Sequence, residues 1–237
     1  MALSIIKIKK SAWTIKQSII VAIISLIFGI IIFWAAFISI NQNIGIANFN
    51  QPILSWLIEN RQIQITSIMQ IITTITNPYI LIIIVILISV LWALIKRETL
   101  RPLLLIIAMG LSTLSFILLK ITTSINRPSQ INMIIPFELD YSFPSGHTIS
   151  ILVLFLIIGY LLYSRRSSII TILFWTIITI LITSLVALSR LYLGYHWITD
   201  IIGSVGLGLI IFSIIIFIDS FFTNKLETKK TLSNIHP

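Results

Sequence analysis

Long apolar runs separated by short polar breaks set the pattern of this chain. Six runs carry no charged residue, at about residues 19–40, 79–95, 103–119, 148–163, 168–188 and 201–218, and predict six transmembrane helices. At 1.5 Å of rise per residue the shortest reach roughly 24–26 Å, near the lower limit for a hydrocarbon core of about 30 Å. Helical flanks are therefore expected beyond those limits. The first run follows a basic segment but is too long for a signal-peptide core and has no small-x-small cleavage site, so it reads as a signal anchor. The segment at about 48–76 is too interrupted to cross. Ile65, Ile68, Met69, Ile72 and Ile75 recur in it at helical spacing, as do Ile53, Trp56 and Leu57 before Asn60, predicting two short interfacial helices. These read first as a connector, with a lid or lipid-guiding surface as the sharper alternative.

Composition agrees with this reading. The 237 residues are 57% hydrophobic and 10% charged, with a mean hydropathy of +1.08, which makes the chain an all-α, multi-pass integral membrane protein. The absence of cysteine excludes a disulfide framework, a thiolate metal site and a thiol nucleophile. No repeat or soluble domain interrupts the pattern, so residues 1–237 read as one domain. The net charge of +9 sits in small clusters at the ends of apolar runs, which points away from nucleic acid and toward topology. With a cytoplasmic N-terminus, Lys7, Lys9, Lys10, Lys16, Lys96, Arg97, Arg101, Arg165, Arg166, Lys225, Lys229 and Lys230 all fall inside, twelve of the sixteen basic residues. Both termini are then cytoplasmic. Only Arg61, Lys120, Arg127 and Arg190 remain outside, and the last three belong to polar islands that topology alone disfavours.

The islands are Lys120 with Arg127-Pro128, then Pro144-Ser145-Gly146-His147, then Ser189-Arg190 with His196 and Asp200. Charge inside membrane sequence is costly and marks function. His196 and Asp200 stand at i,i+4, so on a helix the carboxylate can accept from one imidazole nitrogen and leave the other as a lone pair able to attack phosphorus. Taken alone the pair also reads as a structural hydrogen bond. In the second island Pro and Gly make a turn into a helix N-terminus, where N–H groups, the Ser145 hydroxyl and the Gly146 backbone can hold phosphate oxygens. His147 is then placed to protonate the leaving oxygen, although the tetrapeptide alone reads equally as a turn with an N-cap. Lys120, Arg127 and Arg190 read singly as snorkelling cations, but together they offset the roughly −2 charge of a phosphate monoester. Tyr192, Tyr195 and Trp197 read as an aromatic belt, and Gly203, Gly206 and Gly208 as sites of close helix packing.

The order Lys120-x6-Arg127-Pro128, Pro144-Ser145-Gly146-His147, Ser189-Arg190-x5-His196-x3-Asp200 resembles the three-part signature of the type 2 phosphatidic acid phosphatases, or lipid phosphate phosphatases. The motifs lie within residues 120–200. The resemblance implies a six-helix bacterial membrane phosphatase, working without a metal or other cofactor at the outer face of the cytoplasmic membrane. By position, His196 would be the nucleophile that forms a phosphohistidine, Asp200 its partner and His147 the general acid. Lys120, Arg127, Ser145, Gly146 and Arg190 would bind the phosphoryl oxygens. The implied partners are a lipid phosphate and the membrane lipids around it, with undecaprenyl diphosphate first and phosphatidylglycerophosphate or phosphatidate next. The competing class is a lipid or anion transporter that uses the same cations. It has no need of a nucleophile and a proton donor.

Overall fold

A computed structural model describes residues 15–163 and 168–235, with side chains described up to residue 223 except that of Tyr163. Lys7, Lys9, Lys10, Arg165 and Arg166 lie outside the described residues, and the side chains of Lys225, Lys229 and Lys230 fall in the undescribed part. Within these limits the chain is helical and contains no strand. In order the helices are α1 (Ile15–Gln42), α2 (Asn50–Glu59), α3 (Ile63–Ile75), α4 (Pro78–Lys96), α5 (Leu100–Thr123), α6 (Gly146–Tyr163), α7 (Ile169–Tyr192) and α8 (Ile198–Ile235). Each of the six apolar runs lies in one long helix, and the helices extend past most of the run limits, as the shortness of the runs requires.

Five helices, α1, α4, α5, α7 and α8, are each long and apolar enough to cross a membrane. The sixth, α6, is shorter at 18 residues, and its axial length is about 27 Å. It is apolar on every side because it occupies the centre, touching α4, α5, α7 and α8 and burying Ile149, Val153 and Ile157 completely. The lipid-facing positions carry the exposed apolar residues, among them Ile31, Trp34, Leu87 and Phe174. In a membrane protein this outer surface is matched to hydrocarbon, and the core is distinguished by close packing.

Helix ends follow local chemistry. Asn77 caps α4, its side chain accepting from the N–H groups of Tyr79 and Ile80, and Pro78 occupies the first turn where no intrahelical N–H is needed. Ser124 ends α5 in the left-handed region at φ 51°. Helices α1 and α8 share the largest interface, and Gly29 and Gly206 meet at its centre. A Cβ on Gly206 would stand 2.4 Å from the Phe33 nitrogen, so only glycine lets the two backbones approach this closely. Gly203 and Gly208 likewise receive Phe143 and Leu152, in keeping with the packing role predicted for all three glycines.

The 48–76 segment forms α2 and α3, which pack against α7. The predicted apolar stripe on α3 is divided: Met69 is buried with Ile65 and Ile72 packed beside it, whereas Ile68 and Ile75 are exposed. The C-terminal ends of α5 and α7, the N-terminal ends of α6 and α8, and the C-terminal part of α3 meet at one end of the bundle, where the three polar islands come together.

Candidate active site

Lys120 lies in the last turn of α5 and Arg190 in the last turn of α7, while Arg127 follows α5 on the connection to α6. Their side chains are 10%, 1% and 4% exposed, so three cations are held together almost out of solvent. Such a cluster requires negative charge nearby. Two acids outside the signature supply it. Glu138 binds Arg190 through Oε1 and stands 2.7 Å from Arg127 through Oε2. Asp140 binds Arg127 through Oδ1 at 2.6 Å and Lys120 through Oδ2 at 2.5 Å. Burial would raise the Asp140 pKa, but the Lys120 hydrogen bond and the Arg127 charge outweigh it and hold the carboxyl below its ordinary value.

His196 sits in the turn between α7 and α8, 1% exposed, and Asp200 in the first turn of α8 is fully buried. Asp200 Oδ2 accepts from the Ser142 hydroxyl, from the Trp197 N–H at 2.8 Å and from His196 Nδ1 at 3.1 Å. The other ring nitrogen, Nε2, lies 3.2 Å from Nη1 of Arg127. A guanidinium only donates, so Nε2 is the acceptor and Nδ1 carries the proton. Burial first, then the charges of Arg127, Arg190 and Lys120, push the His196 pKa well below 6.5 and keep the ring neutral. The result is an unprotonated nitrogen aimed at a cationic pocket, with a carboxylate behind it.

His147 opens α6 and is also buried, near the backbone of Thr73 and within electrostatic reach of Arg190, Lys120 and Arg127. Ser145, fully buried, gives its N–H to Ser204 at 2.8 Å and its hydroxyl oxygen accepts from Thr148 at 3.1 Å. The backbone donor of Ser145 is thus committed to α8. At Gly146 a Cβ would press on the Phe116 ring at 3.3 Å, a packing constraint in addition to the close backbone approach read from the sequence. The structure therefore brings Lys120, Arg127, Ser145, Gly146, His147, Arg190, His196 and Asp200 to one end of the bundle.

Several supporting residues lie outside the signature. Thr73 of α3 accepts from Arg190 Nη1 at 2.5 Å. Arg61, on the loop between α2 and α3, donates to the carbonyls of Tyr192 at 3.0 Å and Asn132 at 2.7 Å, tying the turn after α7 to the α5–α6 connection. Gly194 adopts φ +80° in that turn, and a Cβ there would stand 2.3 Å from the Asn132 oxygen. Only this glycine had a local signal, since it follows the end of an apolar run. The aromatic belt is corrected: Tyr192 and Tyr195 are buried. The Tyr192 hydroxyl accepts from the Gln62 N–H at 2.8 Å, and the Tyr195 ring lies under the Arg190 guanidinium at 4.3 Å. Trp197 is half-buried and donates to the Asn126 carbonyl at 2.9 Å.

Residues 101–223 match the family model described as the PAP2 superfamily. The chain belongs to the PAP2 superfamily. It is 31% identical over 125 residues to phosphatidylglycerophosphatase B of Bacillus subtilis (strain 168), a match covering 50% of this chain and 58% of that protein. Among solved structures it is similar to the crystal structure of a transmembrane PAP2-type phosphatidylglycerolphosphate phosphatase from Bacillus subtilis, with a TM-score of 0.70 at 25% identity over 81% of this chain and 96% of the other. LpxE of Aquifex aeolicus shares the fold, with a TM-score of 0.52 at 21% identity over 71% of this chain and 94% of that one.

Proposed function

We propose that this PAP2 protein is a membrane lipid phosphatase that works through a phosphohistidine. The observation that carries this reading is the fixed tautomer of His196, with Nδ1–H on Asp200 and Nε2 turned into the cluster of Lys120, Arg127 and Arg190. Nε2 attacks phosphorus, the P–O bond to the lipid breaks, and His147 gives its proton to the departing alkoxide. Asp200 stabilises the imidazolium formed as the N–P bond closes. Water activated by the now neutral His147 then attacks the phosphohistidine and releases inorganic phosphate. Lys120, Arg127, Arg190 and the Ser145–Gly146 turn hold the phosphoryl oxygens and the charge of the pentacoordinate transition state. The transporter alternative leaves the oriented histidine without a task.

The substrate class is a lipid bearing a terminal phosphate or diphosphate. We rank phosphatidylglycerophosphate first, in view of the name of the Bacillus relative, ahead of undecaprenyl diphosphate, which the family resemblance alone put above it. Phosphate release by the purified chain from a panel of phosphatidylglycerophosphate, phosphatidate and undecaprenyl diphosphate tests this, and no release from any of them contradicts it. Release should survive EDTA, because the acids beside the site, Glu138 and Asp140, are engaged with cations.

Lys16, Lys96, Arg97 and Arg101 stand at the opposite end of the bundle from the site, so the positive-inside rule supports an outward-facing site with both termini in the cytoplasm of a bacterium. A cysteine placed at exposed Ser129 should react with a membrane-impermeant thiol reagent on intact cells, and one at exposed Lys96 only after lysis. The reverse pattern would invert the protein.

A further inference from the structure

The connection between α5 and α6 has two faces. From Phe137 to Ser142 its side chains alternate as in an extended strand. Phe137, Leu139 and Tyr141 turn outward and are 48%, 82% and 41% exposed. Glu138, Asp140 and Ser142 point the other way, to Arg190 and Arg127, to Arg127 and Lys120, and to Asp200. Each carboxylate bridges two cations, and the four carboxylate oxygens engage all three cations of the signature.

The two acids also lie outside the cations. Their side chains are 27% and 57% exposed, against 1–10% for Arg190, Arg127 and Lys120 beneath them. These carboxylates occupy donors that a phosphoryl group would use at the cations. We propose that Glu138 and Asp140 are specificity-determining residues, a resident pair of carboxylates that a terminal phosphate displaces and a phosphodiester does not. This rests on the reading of the site as that of a lipid phosphatase.

Charge and geometry give the reason. Two carboxylates bring −2 to the three cations, and a phosphate monoester brings about −1.5 to −2 with three unesterified oxygens. A phosphodiester brings −1 and two such oxygens, so it cannot replace what it displaces. The discrimination is useful in a membrane, because this connection lies at the end of the helices and most lipid headgroups are phosphodiesters. Without a resident competitor, three buried cations would bind those headgroups.

The test is equilibrium binding of inorganic phosphate and of dimethyl phosphate to the full chain in detergent, for the unaltered protein and for Glu138→Gln with Asp140→Asn. The unaltered chain should prefer phosphate, and in the double variant that preference should narrow by about tenfold, equivalent to ~1.4 kcal/mol, through tighter dimethyl phosphate binding. An unchanged or wider preference overturns the proposal, as does an unaltered chain that binds neither ligand. If the double variant does not fold, Leu139→Cys decides. It keeps both acids and carries the only thiol in the chain, so an environment-sensitive dye there reports on the α5–α6 connection. A saturable change with phosphate and none with dimethyl phosphate supports displacement; equal responses, or none to phosphate, overturn it. Lipid phosphate hydrolysis by the same labelled chain is measured separately, so a failed phosphatase reading is distinguishable from a failed selection device.

Discussion

Thr73 and Arg190 meet at 2.5 Å, the threonine hydroxyl accepting from a guanidinium that has almost no solvent access, across 117 residues of sequence. The backbone of the same threonine lies beside His147. Helix α3, in sequence only a broken apolar segment, thus supports Arg190, a proposed phosphate-binding cation, and lies beside His147, the proposed general acid.

Replacing Thr73 by valine keeps the shape but leaves a buried Arg190 N–H without its acceptor, at a cost of about 1–3 kcal/mol. The kcat/KM for a lipid phosphate should fall by at least about tenfold, and Thr73→Ser should recover most of it. Equal losses in the two variants would show that the hydroxyl contact is immaterial.

His147→Ala separates proton donation from attack. General-acid catalysis contributes typically about 10²–10⁴-fold, and it matters most when the leaving group is a strongly basic lipid alkoxide. The loss should therefore be large for the lipid substrate and much smaller for p-nitrophenyl phosphate. Losses of equal size on both esters would remove His147 from the role of leaving-group acid.

The chain has three histidines, so nitrogen NMR of histidine-labelled protein can follow each ring. One signal, absent in His196→Gln, should show the Nδ1–H tautomer and stay neutral well below pH 6.5, because burial and the neighbouring cations oppose protonation. The unfolded chain takes up this proton near its ordinary pKa and the folded chain does not, so the contribution to stability is fully present above about pH 6.5 and declines as pH falls through and below that value. A His196 ring that charges at or above pH 6.5 would contradict the geometry.

Gly194→Ala tests the turn that carries His196. With φ at +80° and the Asn132 oxygen 2.3 Å from the added carbon, the substitution must move backbone. Destabilisation should exceed about 1 kcal/mol, lowering the thermal midpoint in detergent by at least about 2 °C. Activity should fall with it, since the ring lies two residues away. An unchanged midpoint would mean that the turn yields freely.

The spans and the signature were legible because their signals are local. Unbroken apolar length marks a membrane helix, and residues such as His196 and Asp200 reveal their relation through helical spacing alone. Glu138, Asp140, Thr73, Ser142 and Arg61 carried no such signal. They lie on irregular connections or on a short helix, and their partners are set by which helix ends share one end of the bundle. Tyr195 was misread for the same reason: near a helix end an aromatic residue suits a membrane interface, and only the tertiary fold shows it closing over Arg190. The halved stripe on α3 has a related cause, since periodicity locates an apolar face but not how much of it a neighbouring helix covers.

The proposed mechanism requires His196 to become covalently phosphorylated. Brief incubation with a lipid phosphate labelled in its terminal phosphorus, followed by alkaline quenching, should trap label on the protein that is stable in base and lost in acid, as an N–P bond requires. Peptide mapping should place it at His196, and His196→Ala should carry none. Asp200→Asn should label more slowly, with turnover reduced by up to about 10⁴-fold. Turnover without any labelled intermediate, or label retained in His196→Ala, would contradict the account.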